Sequence, residues 1–460
     1  MKTSKFLKKN WNYVLSVLLI FSLIFLLSES VEKTVFIFIA LLIWNILGIY
    51  FKDFIKSSFL TLLLLLPFNI TYQLPYSVLG IHLADPFVNG VIVNYLIPTI
   101  SILDLGVFLL LLSFIFGIKI NLEWKGFSFL KIFVLFAIYL VIQSIYNSSA
   151  LGLFNSIRLL LYIFTFYSLY KQKGKLFKGR YLYYLLSISI ALVLFQGVLS
   201  LFQFNGGTSL GLSFLGESNV VSGMAGSSFI ELNNSLYLRG YGTFPHPNVL
   251  GGWLIFNILL GWFLHEKFNK DRKGKIISIL LMILSSLSLG LTFSRISLLA
   301  CLIIWVAFLS KQLLKSKGKT FMFIGLLSER VLNLFGGGDS SWSDRLDLIR
   351  ASLNIIKENI LMGVGIGEFT SNMGDSVPRS SNGILLLQPV HNIFLLIISE
   401  IGLIGFGLYS TLFYFFFKDR KFNLRLVISL VTLFIIGMFD HYLFSLPQGL
   451  VLFFLIVIMS

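Results

Sequence analysis

The chain has 460 residues, of which 57% are hydrophobic and 12% charged, and its mean hydropathy is +0.89. Soluble domains carry about 25% charged residues, so this composition excludes a water-soluble globule. The net charge of +16 could point to nucleic acid, but its placement along the chain points to a membrane. With one cysteine, Cys301, no intrachain disulfide can form.

At the N-terminus, Lys2, Lys5, Lys8 and Lys9 precede an apolar stretch that ends in Leu-Ser-Glu-Ser, without a small-x-small cleavage site. It reads as an uncleaved first span. Continuous apolar runs predict fourteen spans, near 11–28, 34–51, 57–70, 97–118, 128–146, 151–170, 181–204, 249–265, 276–292, 295–310, 320–335, 390–416, 425–438 and 443–459. The third and eleventh are short. The expected fold is an all-α polytopic transmembrane helical bundle of about 12–14 spans, one membrane domain over 1–460.

The connections 1–10, 52–56, 119–131, 171–180, 266–275, 311–319 and 418–425 hold 27 of the 36 Lys and Arg residues. They are every second connection. The positive-inside rule therefore makes them cytoplasmic, together with both termini of a multi-pass plasma-membrane protein. The long outward connections are then 71–96, 205–248 and 336–389, and long loops tend to carry function. The lipid bilayer, not nucleic acid, is the partner that this charge pattern serves.

Nine basic residues remain: Lys33, Arg158, Arg239, Arg295, Arg330, Arg345, Arg350, Lys357 and Arg379. Seven are Arg, whereas the cytoplasmic connections hold 23 Lys and 4 Arg. Topology requires only positive charge, so an Arg bias on the face where such charge is disfavoured has another cause. Arg offers a planar fork of donors that grips phosphate in a bidentate way. An outward-facing phosphate ligand follows. Lys33, Arg330 and Arg379 read as ordinary loop charges, and Arg350 and Lys357 as a solvated helix face.

Arg239 lies in Leu-Arg-Gly-Tyr-Gly-Thr-Phe-Pro-His-Pro-Asn at 238–248, where glycines permit close backbone approach. Pro247 marks a helix start with Asn248 as a possible cap; His246 and Asn248 serve either that start or a ligand. Arg295 ends Thr-Phe-Ser-Arg at 292–295, a tight connection at the membrane edge. There it either snorkels to headgroups or holds a ligand. Residues 343–361 read as an amphipathic helix, with Leu346, Ile349, Leu353, Ile356 and Ile360 at alternating spacings of three and four and Arg345 in the first turn. It would lie on the membrane surface or roof the bundle. The Gly-Val-Gly-Ile-Gly run at 363–367 lacks a following Lys-Ser/Thr and reads as a helix stop, not a nucleotide loop.

His391 falls behind Pro389 in the first turn of the twelfth expected span, where the helix dipole disfavours imidazolium. A neutral imidazole there is suited to accept a proton. No His-x-x-x-His, cysteine pair or outward Asp-x-Asp is present, so neither a metal nor a cofactor is expected. Asp104 and Glu400 fall inside spans and require partners, for which Arg158 is one candidate.

The order of these pieces resembles the O-antigen ligase and O-antigen polymerase superfamily of bacterial membrane glycosyltransferases. The pieces are 239–252, Phe-Ser-Arg at 293–295, Arg345 through Gly-Val-Gly-Ile-Gly-Glu-Phe at 363–369, and His391-Asn392 through Ser-Glu-Ile-Gly-Leu-Ile-Gly at 399–405. The likeness covers roughly 235–410. It implies an inverting, metal-independent transfer of a glycan from a polyprenyl (undecaprenyl) diphosphate to an acceptor hydroxyl outside the plasma membrane. Arg239 and Arg295 would engage the diphosphate and His391 would activate the acceptor. Arg345, Asn392, His246 and Asn248 would contribute to substrate binding. Whether the acceptor is a glycan, a lipid or a protein, and so whether the chain is a ligase or a polymerase, stays open. A transporter of lipid-linked glycan is the alternative from another class. It would place its polar residues near the bilayer midplane and in repeated halves.

Overall fold

The computed structural model describes residues 31–75, 77–78, 81–82, 85–117, 128–224, 226–232, 235–315, 340–379, 383 and 385–460. The chain is a mostly helical polytopic bundle. Its helices are α1 (Val31–Phe51), α2 (Phe54–Leu65), α3 (Ile102–Gly117), α4 (Phe129–Tyr146), α5 (Ala150–Leu176), α6 (Tyr181–Gly206), α7 (Pro247–Lys267), α8 (Arg272–Gly290), α9 (Arg295–Lys315), α10 (Ser340–Glu358), α11 (Ile393–Phe417), α12 (Leu424–Phe439), α13 (Tyr442–Ser445) and α14 (Pro447–Met459). Eight of these, α1, α4 to α9 and α11, are long and apolar enough to cross a membrane, and α2, α3, α12 and α14 are shorter apolar helices. Together they coincide with twelve of the fourteen expected spans. The other two, 11–28 and 320–335, lie outside the described residues.

α7 is apolar all round and is buried along nearly its whole length, as such a helix must be. It packs against α8, α9 and α14. Gly252 gives the Tyr442 hydroxyl its place, and Gly261 does the same for Met282. Small antiparallel strand pairs decorate one end of the bundle, here called the site end. They are β1 (Thr71–Gln73) with β6 (Thr99–Ser101), β2 (Ser77–Val78) with β3 (Ile81–His82), β4 (Phe87–Val88) with β5 (Val91–Ile92), and β7 (Phe229–Leu232) with β8 (Ser235–Leu238). Asn89 and Gly90, at φ of 50° and 77°, form the two-residue turn of β4–β5.

Three local expectations change. The last span is broken, because Pro447 cannot continue the ladder and forces Leu446 into an extended conformation. α11 is interrupted at Gly402, with φ of 63° and ψ of −178°. The glycine run at 363–367 is more than a helix stop, for it docks into that interruption. Val364 and Gly365 donate to the carbonyls of Ser399 and Glu400 at 3.0 and 2.8 Å, and Leu403 donates to Ile360 at 2.9 Å. Gln143 of α4 also donates to the Glu400 carbonyl, at 2.7 Å. Backbone groups freed by the break thus find partners inside the protein, the condition for a broken helix at membrane depth.

α10 corrects its expected stripe. The packed face is Leu348, Ala351, Ser352 and Ile355, while Leu346 and Leu353 form an exposed apolar edge beside it; Ile360, also exposed, lies beyond the helix end at Glu358. The helix therefore both roofs the bundle and presents an apolar edge.

Candidate functional site

The β7–β8 hairpin ends at Arg239 and hands the chain to a turn that docks on the α8–α9 connection. Gly240 donates to the Leu291 carbonyl at 2.8 Å. Phe293 holds a left-handed φ of 47° in the tight turn before Arg295. This docking brings two residues separated by 56 positions in sequence to one place: Arg239 Nε donates to the Thr292 carbonyl at 2.7 Å, three residues before Arg295. Arg345, from the first turns of α10, joins them. Burial first, with the charges of Arg295 and Arg345 and against Tyr241 and Asp440, lowers the Arg239 guanidinium to about 10. It remains a cation at neutral pH. Arg295 is exposed and Arg345 half-buried.

From Arg239 a line of hydrogen bonds runs across the site. Its Nη2 donates to Asn248 Oδ1 at 2.9 Å, and Asn248 Nδ2 donates to Asp440 Oδ2 at 2.8 Å. Asp440 Oδ1 accepts the backbone N–H of His441 at 2.8 Å and lies 3.9 Å from Nδ1 of His391, too far for a hydrogen bond. That nitrogen is buried and has no hydrogen-bond partner. The His391 and His441 rings are 5.2 Å apart. Burial alone would raise the Asp440 carboxyl, but the surrounding imidazoles, His391 first, hold it well below the usual carboxylate range. His441 is pushed down to about 4, chiefly by burial, and His246 to about 3, by enclosure and then by the Arg239 charge. Both are neutral at neutral pH.

The expected site residues fall into two groups. Arg239, Arg295, Arg345, His391, His246 and Asn248 converge on this end of the bundle. Asn392 does not offer its side chain to the site: it caps α11, accepting from the N–H groups of Phe394 and Leu395 at 3.0 Å each. His246, not Asn248, caps α7, with Nδ1 accepting from the Asn248 N–H at 3.1 Å. Asn248 is thereby released to bridge Arg239 and Asp440. His391 precedes the α11 cap instead of sitting in its first turn, and Pro389 lies outside the helix. Arg158 does pair with Asp104, at 3.1 Å.

Sequence reasoning missed Asp440 and His441. The available signal was an adjacent acid and histidine in the short connection between the last two apolar runs. Ligating atoms of His391, Asp440 and His441 lie within 4.8 Å of one another and form the one group among the described residues that could hold a metal. Each Asp440 oxygen already accepts one hydrogen bond and His441 Nδ1 is bonded to Ser445 at 2.7 Å, so His441 would offer Nε2 alone. The histidines and Asp440 border a cavity of about 650 Å³, within the range of small-molecule sites.

The family model described as O-antigen ligase matches residues 280–410. That stretch contains Arg295, Arg345, His391 and Glu400, and excludes Arg239, Asp440 and His441. No curated protein matches the chain.

Proposed function

We propose that this protein, a multi-pass enzyme of the O-antigen ligase and polymerase superfamily, transfers a glycan from a polyprenyl diphosphate to an acceptor hydroxyl at the outer face of the bacterial plasma membrane. One observation carries the reading. Arg239, whose guanidinium feels the charges of Arg295 and Arg345, is joined through Asn248 to an ionised Asp440, which faces the unpartnered Nδ1 of His391. Cations for a leaving diphosphate and a base for an entering hydroxyl are the two requirements of this reaction.

In the proposed step the acceptor O–H gives its proton to His391. The acceptor oxygen bonds to the anomeric carbon from the face opposite the diphosphate, so the configuration inverts. The anomeric C–O bond breaks, and the diphosphate leaves with the bonding pair. Arg239, Arg295 and Arg345 hold the charge that develops on it, the task a metal would otherwise perform. Asp440 receives the Nδ1 proton of His391 in a hydrogen bond as the site tightens, leaving Nε2 to meet the acceptor. This is the orienting role of the carboxylate in a hydrolase triad. The arginines and the long loops 205–248 and 336–389 would face outward and both termini the cytoplasm.

The test is transfer by the purified full chain in nanodiscs, from a defined polyprenyl-diphosphate glycan to a panel of acceptors. The expected result is glycosylated acceptor with inverted anomeric configuration and one polyprenyl diphosphate per transfer. Donor crossing a vesicle membrane without release of polyprenyl diphosphate would make the protein a transporter.

A further inference from the structure

The cavity beside His391 has a wall unlike the arginine cluster. Asn69, Asn94, Asn155 and Gln448 line it, together with Thr370 and Tyr95. Its one guanidinium, Arg158, is consumed: Nε and Nη2 donate to the two Asp104 oxygens at 3.1 and 3.2 Å, Nη1 to Asn155 Oδ1 at 3.2 Å, and Nη2 also to the Thr99 carbonyl. The acids on the wall are Asp440 and Glu400, and Glu400 is turned toward the backbone of Gly367 and Phe369. A phosphate or carboxylate entering here would meet the Asp440 carboxylate and, among the lining residues, no available guanidinium or ammonium group. Thr370 is 1% exposed, and its Oγ1 has no hydrogen-bond partner. A buried hydroxyl left in that state is costly unless a ligand completes it. Asn155 is partly spent on Arg158 and the Ile366 carbonyl, and Gln448 donates to Asn69, but each amide retains a further donor or acceptor. With Asn94, the Thr370 hydroxyl and the Tyr95 ring they match the donor-acceptor pattern of neutral sugar hydroxyls.

Resting on the transferase reading above, we propose that this cavity is the acceptor subsite and that it takes an uncharged sugar carrying the reacting hydroxyl. Donor diphosphate and acceptor sugar then approach His391 from two chemically distinct sides, one rich in arginine and one in amides. The separation keeps the diphosphate out of the acceptor side, where nothing neutralises it. It also makes the acceptor a glycan terminus and not a phosphorylated core or a peptide.

The experiment uses the full chain in nanodiscs at saturating polyprenyl-diphosphate glycan. The acceptors are a neutral trisaccharide, the same trisaccharide bearing a 6-phosphate, and a Ser/Thr peptide. The neutral sugar should be the acceptor used. Thr370→Val and Asn94→Ala should each raise its KM roughly 2–10-fold, the worth of one hydrogen bond, with donor KM unchanged. Arg379→Lys, outside the cavity lining, should move neither constant. Comparable kcat/KM for the phosphorylated sugar or the peptide would overturn the proposal, as would a rise in donor KM or an unchanged acceptor KM in the variants. If no acceptor releases polyprenyl diphosphate, the transferase reading fails by itself. The cavity is then judged by saturation-transfer NMR with the trisaccharide alone: binding abolished by Asn94→Trp supports a sugar site, and no binding by the parent chain removes it.

Discussion

Each end of the bundle carries a group of charged side chains, and the two are built differently. At the end away from the site, Glu266 accepts from Lys311 at 2.6 Å and from Trp262 at 2.8 Å through one oxygen, and from Arg425 through the other. Every member answers another, and the cluster ties α7, α9 and α12 together. At the site end three guanidiniums accompany one carboxylate, and that carboxylate takes its hydrogen bonds from Asn248 and His441, not from an arginine. A closed cluster holds structure. A cluster of fork-shaped cations is what the proposed diphosphate donor would require.

The comparison breaks first at His391. If it is the general base, His391→Ala should reduce single-turnover rate by about 10²–10⁴-fold while donor affinity stays near that of the parent. A variant that loses donor binding but reacts normally at saturating donor would make the histidine a binding residue. Next come Arg239→Lys and Arg295→Lys, which keep charge but lose the fork. Each should weaken donor binding by roughly 10–100-fold, the range for charge-assisted hydrogen bonds, once folding has been checked. Donor affinity equal to the parent's in Arg295→Lys would remove the phosphate explanation of the Arg bias.

The closed cluster should respond in the opposite sense. Arg425→Met should lower stability by about 1–3 kcal/mol in a thermal or denaturant titration, with donor KM unchanged. A shift in donor KM there would mean the two ends are coupled.

Acid should act through the site end. His246 and His441 sit at about 3 and about 4 against an ordinary 6.5. As pH falls below about 6.5 the unfolded chain takes up protons that the native imidazoles refuse, so stability is lost between about 6.5 and 4. Asp440, held below its ordinary value, adds a further loss below about 3.8. Thermal midpoints measured from pH 7.5 to 4 should fall, and His246→Gln should flatten the slope; an equally steep curve in that variant would discount the histidine. The smallest expected effect belongs to chelation. Transfer should persist in EDTA if, as proposed, the arginines do the work of a metal. Loss of activity restored by a divalent ion would instead make His391, Asp440 and His441 its ligands.

Much of the bundle could be read from linear pattern. The apolar runs placed twelve helices, because a segment in lipid must satisfy its own backbone and so declares itself by length and hydropathy. The breaks at Gly402 and Leu446 were less visible: a glycine is tolerated in many helices, and only the docking of 363–367 shows that this one is needed. The arginines could be picked out because their side chain type departs from the lysines of the basic connections. Asp440 and His441 could not be ranked without knowing that their connection comes to rest beside His391.

By itself, then, the sequence determined a polytopic helical membrane protein with arginine-bearing loops on alternate connections, since hydropathy and charge act locally along the chain. The tertiary structure decided what no local pattern encodes. The β7–β8 hairpin docks on the α8–α9 turn and gathers Arg239 with Arg295. Asn248, freed from capping by His246, links them to Asp440 across 192 positions of sequence. Which polar groups are spent on backbone and which remain for a ligand depends on contacts between distant segments, and those exist only once the helices have packed.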